Sequence, residues 1–278
     1  MILRPRPRLL FSWAGSKARM MPKLIPYMPD HNRYVSVFGG SGADVIYKPQ
    51  STVEIYNDLN EDVVNVFRVL RSDQQRRRLV AHLQLTPYSR LQFAECLALL
   101  HSDEDDPVKR AWAFLYCTMT QCAHLDPAIC RNGSFSVAKT HGMRSGWHNV
   151  GDRIESVGYR FRQIVIENVS WEEIIARYDS TYTFFYFDPP YVLSTRTGRY
   201  YKHEMTDEQH VSLLVAMRSM KGLVMLSGYQ NDLYREYLSD WRRVEFQVLC
   251  TMSTAKKKPP RTEVVWMNYG KDGKRLAG

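Results

Sequence analysis

Hydrophobic and polar positions divide the chain into stretches of different rhythm. The first holds short apolar runs closed by glycine or acidic residues. Tyr34 to Phe38 reads as a strand broken by Gly39-Gly40-Ser41-Gly42, and Thr52 to Tyr56 reads as a second strand ending at Asn57-Asp58. Val63, Val64, Phe67 and Leu70 then recur at helical spacing, which predicts a helix over Asn60 to Arg71. From Ser72 to about Cys122 the pattern is helical and leucine-rich, with Pro87 and Pro107 as starts or breaks. Arg131-Asn132-Gly133-Ser134 is a turn signal between Ala128-Ile129-Cys130 and Phe135-Ser136-Val137, and predicts a hairpin.

Strand-like runs return at Gln163 to Glu167 and Thr181 to Phe187. Thr206 to Met220 reads as a helix with Asp207 and Glu208 in its first turn. Leu223 to Leu226 reads as a buried strand, and Val244 to Leu249 with Glu263 to Asn268 as a closing antiparallel pair around a basic loop. The order is that of an α/β sheet. A mostly helical insertion at 73–162 splits it, leaving 1–72 and 163–278 as the sheet domain.

Length, charge and cysteine usage narrow the classes. The 278 residues suffice for one large domain, or one carrying a smaller one. No apolar run approaches the roughly 18 residues of a membrane helix, and Leu9 to Ala14 is too short for a signal peptide. Five cysteines, an odd number without a C-x-x-C pair, argue against a zinc ribbon or a disulfide framework and fit a reducing, cytoplasmic setting. Thirty-eight Lys and Arg against 29 Asp and Glu give a formal charge of +9, which suits a polyanionic partner or a plain cationic surface. Arg4, Arg6, Arg8, Lys17, Arg19 and Lys23 stand in a stretch without acidic residues, and Lys256 to Lys258 add a further cluster.

Two features carry chemistry. Phe38-Gly39-Gly40-Ser41-Gly42 follows a strand, where glycines let the backbone approach a ligand and helix-start amides favour polar or anionic groups. Asp58, at the end of the next strand, stands where doubly wound folds hold ribose hydroxyls. Together they favour a nucleoside-containing cofactor over a simple turn, and the absence of G-x-x-x-x-G-K-[ST] disfavours P-loop hydrolysis. The second is Asp188-Pro189-Pro190-Tyr191 after the apolar run Tyr182 to Phe187. Consecutive prolines fix the backbone and leave carbonyls free to accept. A carboxylate, a proline carbonyl and a flat aromatic side chain suit an exocyclic amine on a planar ring.

The order of Trp13-Ala14-Gly15-Ser16-Lys17, Phe38-x-Gly40-x-Gly42, Asp58 and Asp188-Pro189-Pro190-Tyr191 resembles the Dam-type, α-group N6-adenine-specific DNA methyltransferases. Arg261-Thr262-Glu263-Val264-Val265-Trp266-Met267-Asn268-Tyr269 resembles that family's C-terminal strand, so the likeness spans about 11–269. It implies a Rossmann-like S-adenosylmethionine-dependent methyltransferase sheet, with an inserted, mostly helical target-recognition domain containing a β-hairpin at 73–162. It also implies that Trp13, Lys17, Phe38, Gly39, Gly40, Gly42, Asp58, Ser170, Trp171 and Asp188 contact S-adenosylmethionine. Asp188, Pro189, Pro190 and Tyr191 are then the catalytic set, and Arg131, Asn132 and Ser134 meet the DNA. The turn is shorter than the Dam pattern, and Ala138 stands where a proline is common, which sets GATC specificity apart from the rest of the resemblance.

Hydrogen bonds from adenine N6–H to Asp188 and to the Pro189 carbonyl would favour a pyramidal nitrogen for direct methyl transfer, with alignment as the main requirement. No metal and no covalent intermediate are required. The base must leave the duplex and stack, with Tyr191 as its platform. Cytosine carbon-5 chemistry is disfavoured because none of the cysteines follows a proline. RNA adenine or DNA cytosine-N4 methylation, and a DNA-binding relic without catalysis, stay open at this point. Double-stranded DNA is the expected partner of a monomer, without membrane association and with a cognate restriction endonuclease as a further partner.

Overall fold

The computed structural model describes residues 8–121, 126–130, 135–137, 147–196, 198–249 and 260–276. Arg131, Asn132 and Ser134, the turn expected to meet DNA, lie outside these residues, as does the basic Lys256 to Lys258.

Seven strands form one sheet: β1 (Arg33–Ser36), β2 (Val53–Asn57), β3 (Val165–Glu167), β4 (Thr183–Phe187), β5 (Leu223–Tyr229), β6 (Arg242–Leu249) and β7 (Pro260–Met267), in the order β3-β2-β1-β4-β5-β7-β6. β1 to β5 pair in parallel, and β7 enters antiparallel between β5 and β6. The chain runs from β1 outward through β2 and β3, then returns to β4 on the other side of β1. The order therefore switches between β1 and β4, where α/β sheets open a crevice at their carboxyl ends.

The helices are α1 (Met21–Leu24), α2 (Ala43–Tyr47), α3 (Glu61–Arg71), α4 (Asp73–Leu85), α5 (Arg90–Leu100), α6 (Pro107–Thr120), α7 (Val150–Phe161), α8 (Trp171–Tyr178), α9 (Asp207–Ser219) and α10 (Asp232–Tyr237). Local chemistry sets their starts. The Asn60 side chain accepts from the Asp62 and Val63 amides ahead of α3, and Thr206 with Gln209 closes a reciprocal capping box ahead of α9.

β4 is buried at every position, as a central parallel strand must be. Its side chains alternate: Phe184 and Tyr186 join the core under α2, α3, α6 and α7, while Phe185 and Phe187 join the core under α8, α9 and α10. The buried side chains of α4 to α7 belong to the same core as α3 and the sheet. Phe161 of α7 stacks on Phe67 of α3 at 4.2 Å and 11°, and Phe114 of α6 meets Phe11 edge-on at 5.3 Å. A buried ion pair adds a second tie, since Arg160 of α7 and Lys48 both reach Glu54 of β2. Burial alone would raise the Glu54 carboxyl, but Arg160 and Lys48 outweigh it and hold it below its ordinary value.

The sequence reading of Ala128 to Cys130 as a hairpin arm is corrected. Pro127–Ile129 forms a 3-10 turn, because Pro127 starts it and the Asp126 carboxylate caps the Ala128 amide. Phe135 instead forms an antiparallel bridge with Gln121 at the end of α6. Among the described residues, no helix is long and apolar enough to cross a membrane.

Candidate active site

The carboxyl ends of β1, β2 and β3 are tied by one amide side chain. Asn57 donates to the carbonyls of Val37 and Val169 at 2.9 and 3.1 Å, and accepts from the Val169 amide at 3.0 Å. The end of β2 also braces the glycine turn after β1. Tyr56 OH donates to the Gly40 carbonyl at 2.6 Å, while the Gly40 amide donates to Asp58 Oδ2 at 2.7 Å. A Cβ on Gly39 would lie 2.1 Å from the Tyr56 ring, so the turn and Tyr56 approach only because that position is glycine. Asp58 accepts a second amide, Asn60, at 2.8 Å. Burial raises its carboxyl to about 6 despite these two donors.

The N-terminal Trp13-to-Lys17 segment lies across this floor. Ser16 Oγ is 2.9 Å from Ser41 Oγ, and Trp13 lies against Gly40, where a Cβ would meet its Cδ1 at 3.0 Å. Lys17 is buried and reaches Asp188 Oδ1 at 2.7 Å, Glu263 Oε1 at 3.3 Å and the Gly15 carbonyl at 3.0 Å. Burial favours the neutral amine, but the two carboxylates outweigh it and hold Lys17 charged. Asp188 is raised to about 6 by burial first, pulled back by Lys17 and pushed up again by Glu263. Tyr191 donates its hydroxyl to Glu263 and packs edge-on against Tyr229 at 4.7 Å.

A cavity of about 660 Å³ collects these groups. Trp13, Lys17, Phe38, Gly39, Gly40, Asp58, Ser170, Trp171, Asp188, Pro189, Pro190 and Tyr191 all line it. Gly42 is the exception among the sequence candidates on the described residues. Its open side faces Phe161 and Phe67, and it stands as the left-handed N-cap of α2. Ser170 spends its side chain capping α8, where it accepts from the Glu173 amide.

Sequence reasoning missed several lining residues. Glu263 is the charged member of an otherwise apolar run, Glu263-Val264-Val265-Trp266-Met267, and that contrast was its available signal. Asp126 also carried an Asp-Pro signal. It receives the Asn60 amide at 2.7 Å and the Lys202 backbone amide at 3.0 Å, joining the segment after α6 to the loop after the tetrad. In that loop Arg196 donates to the Tyr191 carbonyl at 2.8 Å and pairs with Glu204. Tyr201 OH donates to the Ala14 carbonyl at 3.0 Å.

A family model for D12 class N6 adenine-specific DNA methyltransferases matches residues 13–252. The chain belongs to this family. As an adenine-specific DNA methyltransferase it has relatives that align nearly end to end. A type II methyltransferase of Methanocaldococcus jannaschii, M.MjaIII, is 23% identical over 292 residues, 92% of this chain and 97% of that protein. A type II methyltransferase of Lactococcus lactis subsp. cremoris, M1.LlaDCHI, is 26% identical over 277 residues, 93% and 94% of the two chains. A DNA N-6-adenine-methyltransferase of Escherichia phage P1 is 26% identical over 110 residues, 39% of this chain and 14% of that protein. Membership makes this enzyme a transferase acting on DNA, of a family that uses S-adenosylmethionine.

The cavity suits that donor. Its volume is within the roughly 300–1,000 Å³ of small-molecule sites. Asp58 keeps lone pairs beyond the two amides for hydroxyl donors. Carboxylates outnumber ammonium groups around Lys17, which favours a cationic ligand centre.

Proposed function

We propose that this enzyme methylates N6 of one adenine within a specific site of double-stranded DNA, with the base flipped into the cavity beside Asp188. The observation that carries the reading is the meeting of the tetrad, Lys17, the glycine turn and Asp58 in one cavity at the sheet's switch point.

S-adenosylmethionine, when bound, supplies an electrophilic methyl group. The chain's part is to hold and align. Asp58 takes the ribose hydroxyls, with Trp171 and Ser170 near the adenine of the donor and Trp13, Phe38, Gly39 and Gly40 around the rest. Asp188 and the Pro189 carbonyl accept the two N6–H bonds of the target base, which draws the amine lone pair out of conjugation. Tyr191 stacks on the base. Ordering the reactants at about 3–3.5 Å supplies most of the acceleration in such a transfer. The ionised Asp188 is the stronger acceptor, and Lys17 beside it favours that form.

The segments 1–72 and 163–278 form the catalytic part, and 73–162 reads the DNA, with Arg131, Asn132 and Ser134 as base and phosphate contacts. The type II names of the relatives support a cognate restriction endonuclease as partner, and the enzyme acts as a monomer in the cytoplasm. The family match and the complete tetrad favour adenine in DNA over RNA, cytosine-N4 or a relic without catalysis.

The test is modification-sensitive sequencing of DNA from a methylation-deficient host expressing this chain or Asp188→Ala. N6-methyladenine in one recurrent motif, absent with the variant, is the expected result. Retained methylation in Asp188→Ala would overturn the role given to Asp188.

A further inference from the structure

Glu263 sits at the start of β7, paired across the ladder with Tyr229 at the end of β5. Its side chain is 7% exposed, and the two groups it meets are both named in the site above. Lys17 Nζ lies 3.3 Å from Oε1, and the Tyr191 hydroxyl donates to the same oxygen. Tyr229 packs edge-on with the Tyr191 ring, and Lys17 Nζ lies 4.8 Å from the ring centroid. One ammonium thus serves two carboxylates, Asp188 and Glu263, and one carboxylate serves both the ammonium and the phenol.

We propose that Glu263 is a positioning residue for methyl transfer, anchoring the Tyr191 ring through its hydroxyl and dividing the Lys17 charge so that Asp188 is not neutralised. This rests on the reading that Asp188 and Tyr191 receive the target adenine. A carboxylate fully paired with a buried ammonium is a weaker acceptor toward a third group. A second carboxylate on the same ammonium leaves Asp188 with acceptor strength to offer the N6 amine. The groups facing Asp188 are Lys17, Glu263, Asp44 of α2 and the phenols Tyr186, Tyr191, Tyr201 and Tyr234.

The experiment compares Glu263→Gln, Tyr191→Phe and Asp188→Ala with the wild-type enzyme. It uses kcat against pH, the KM values for DNA and S-adenosylmethionine, and the fluorescence of 2-aminopurine at the target position. Gln keeps an acceptor for Tyr191 and removes only the charge. Glu263→Gln is expected to lower kcat about tenfold with KM values little changed. It should also move the acid limb of kcat down by about one pH unit, because a like charge has left Asp188. Tyr191→Phe is expected to weaken the 2-aminopurine signal and leave the acid limb in place.

Glu263→Gln with wild-type kcat and limb would overturn the charge role, and Tyr191→Phe with a wild-type signal would overturn the anchor. An active Asp188→Ala would refute the underlying site reading instead. An inactive Asp188→Ala beside a normal Glu263→Gln refutes only the present inference.

Discussion

Two glycines in one turn separate backbone strain from ligand contact. Gly40 has φ +49° and Gly42 has φ +68°, so alanine at either position enters the left-handed region at about 1–2 kcal/mol. Their surroundings differ. A Cβ on Gly40 meets Trp13 Cδ1 at 3.0 Å and Nε1 at 3.1 Å, and one on Gly42 meets Phe161 at 3.1 Å and Phe67 at 3.3 Å. Trp13 is backed by Phe11 and Phe114, with centroids at 5.9 and 5.8 Å, so it yields toward the cavity. Both variants should lose stability, at roughly 2–4 °C of melting temperature per kcal/mol for a domain near this size. Only Gly40→Ala should lose donor affinity, by about tenfold or 1.4 kcal/mol. Calorimetric unfolding and titration with S-adenosylmethionine read the two effects on the same samples. Wild-type donor affinity in Gly40→Ala, or an equal loss in Gly42→Ala, would refute the placement of the donor against Trp13.

Three further outcomes follow from the site. With Asp188 near 6 in the free enzyme, kcat/KM should be half-maximal near that pH, and at pH 5 about tenfold below its plateau, as one essential carboxylate demands. A rate flat to pH 5 would refute it. The raised Asp188 binds protons more tightly folded than unfolded, so its contribution to stability grows as pH falls through 6 toward 4. The melting temperature of wild type minus that of Asp188→Asn should therefore increase between pH 7 and 5, opposite to the activity. Arg196→Ala leaves the partly buried Glu204 without its cation and the Tyr191 carbonyl without its donor, at a cost of about 2–3 kcal/mol. Faster proteolysis between Thr195 and Met205 with a lowered kcat is expected, and an unchanged cleavage rate would contradict the bracing role.

What was legible in the sequence is what local chemistry decides. The apolar run before Asp188 could only be a strand buried on both faces, and Asn60 and Thr206 announce their helices through side chains that cap amides two or three residues on. The glycine turn and Asp58 stand close enough in sequence for their spacing to suggest a shared ligand, and the Gly40–Asp58 hydrogen bond is one physical basis of that spacing. Glu263, Asp126 and the Arg196–Glu204 pair escaped because their meaning lies in partners brought up by the sheet order. The arm at Ala128 to Cys130 failed for a local reason: Asp126-Pro127 starts a tight turn more strongly than the following residues start a strand.

The reversed strand β7 has a consequence for how the enzyme comes into being. Because it runs against its neighbours, its first residues stand at the rim where the parallel strands end, and a residue late in the chain reaches a lysine near the beginning. On the ribosome, Lys17 and Asp188 are made before Glu263. A nascent chain therefore holds the glycine turn, Asp58 and the tetrad without the group that balances them. On the reading above, full turnover waits until β7 takes its place between β5 and β6.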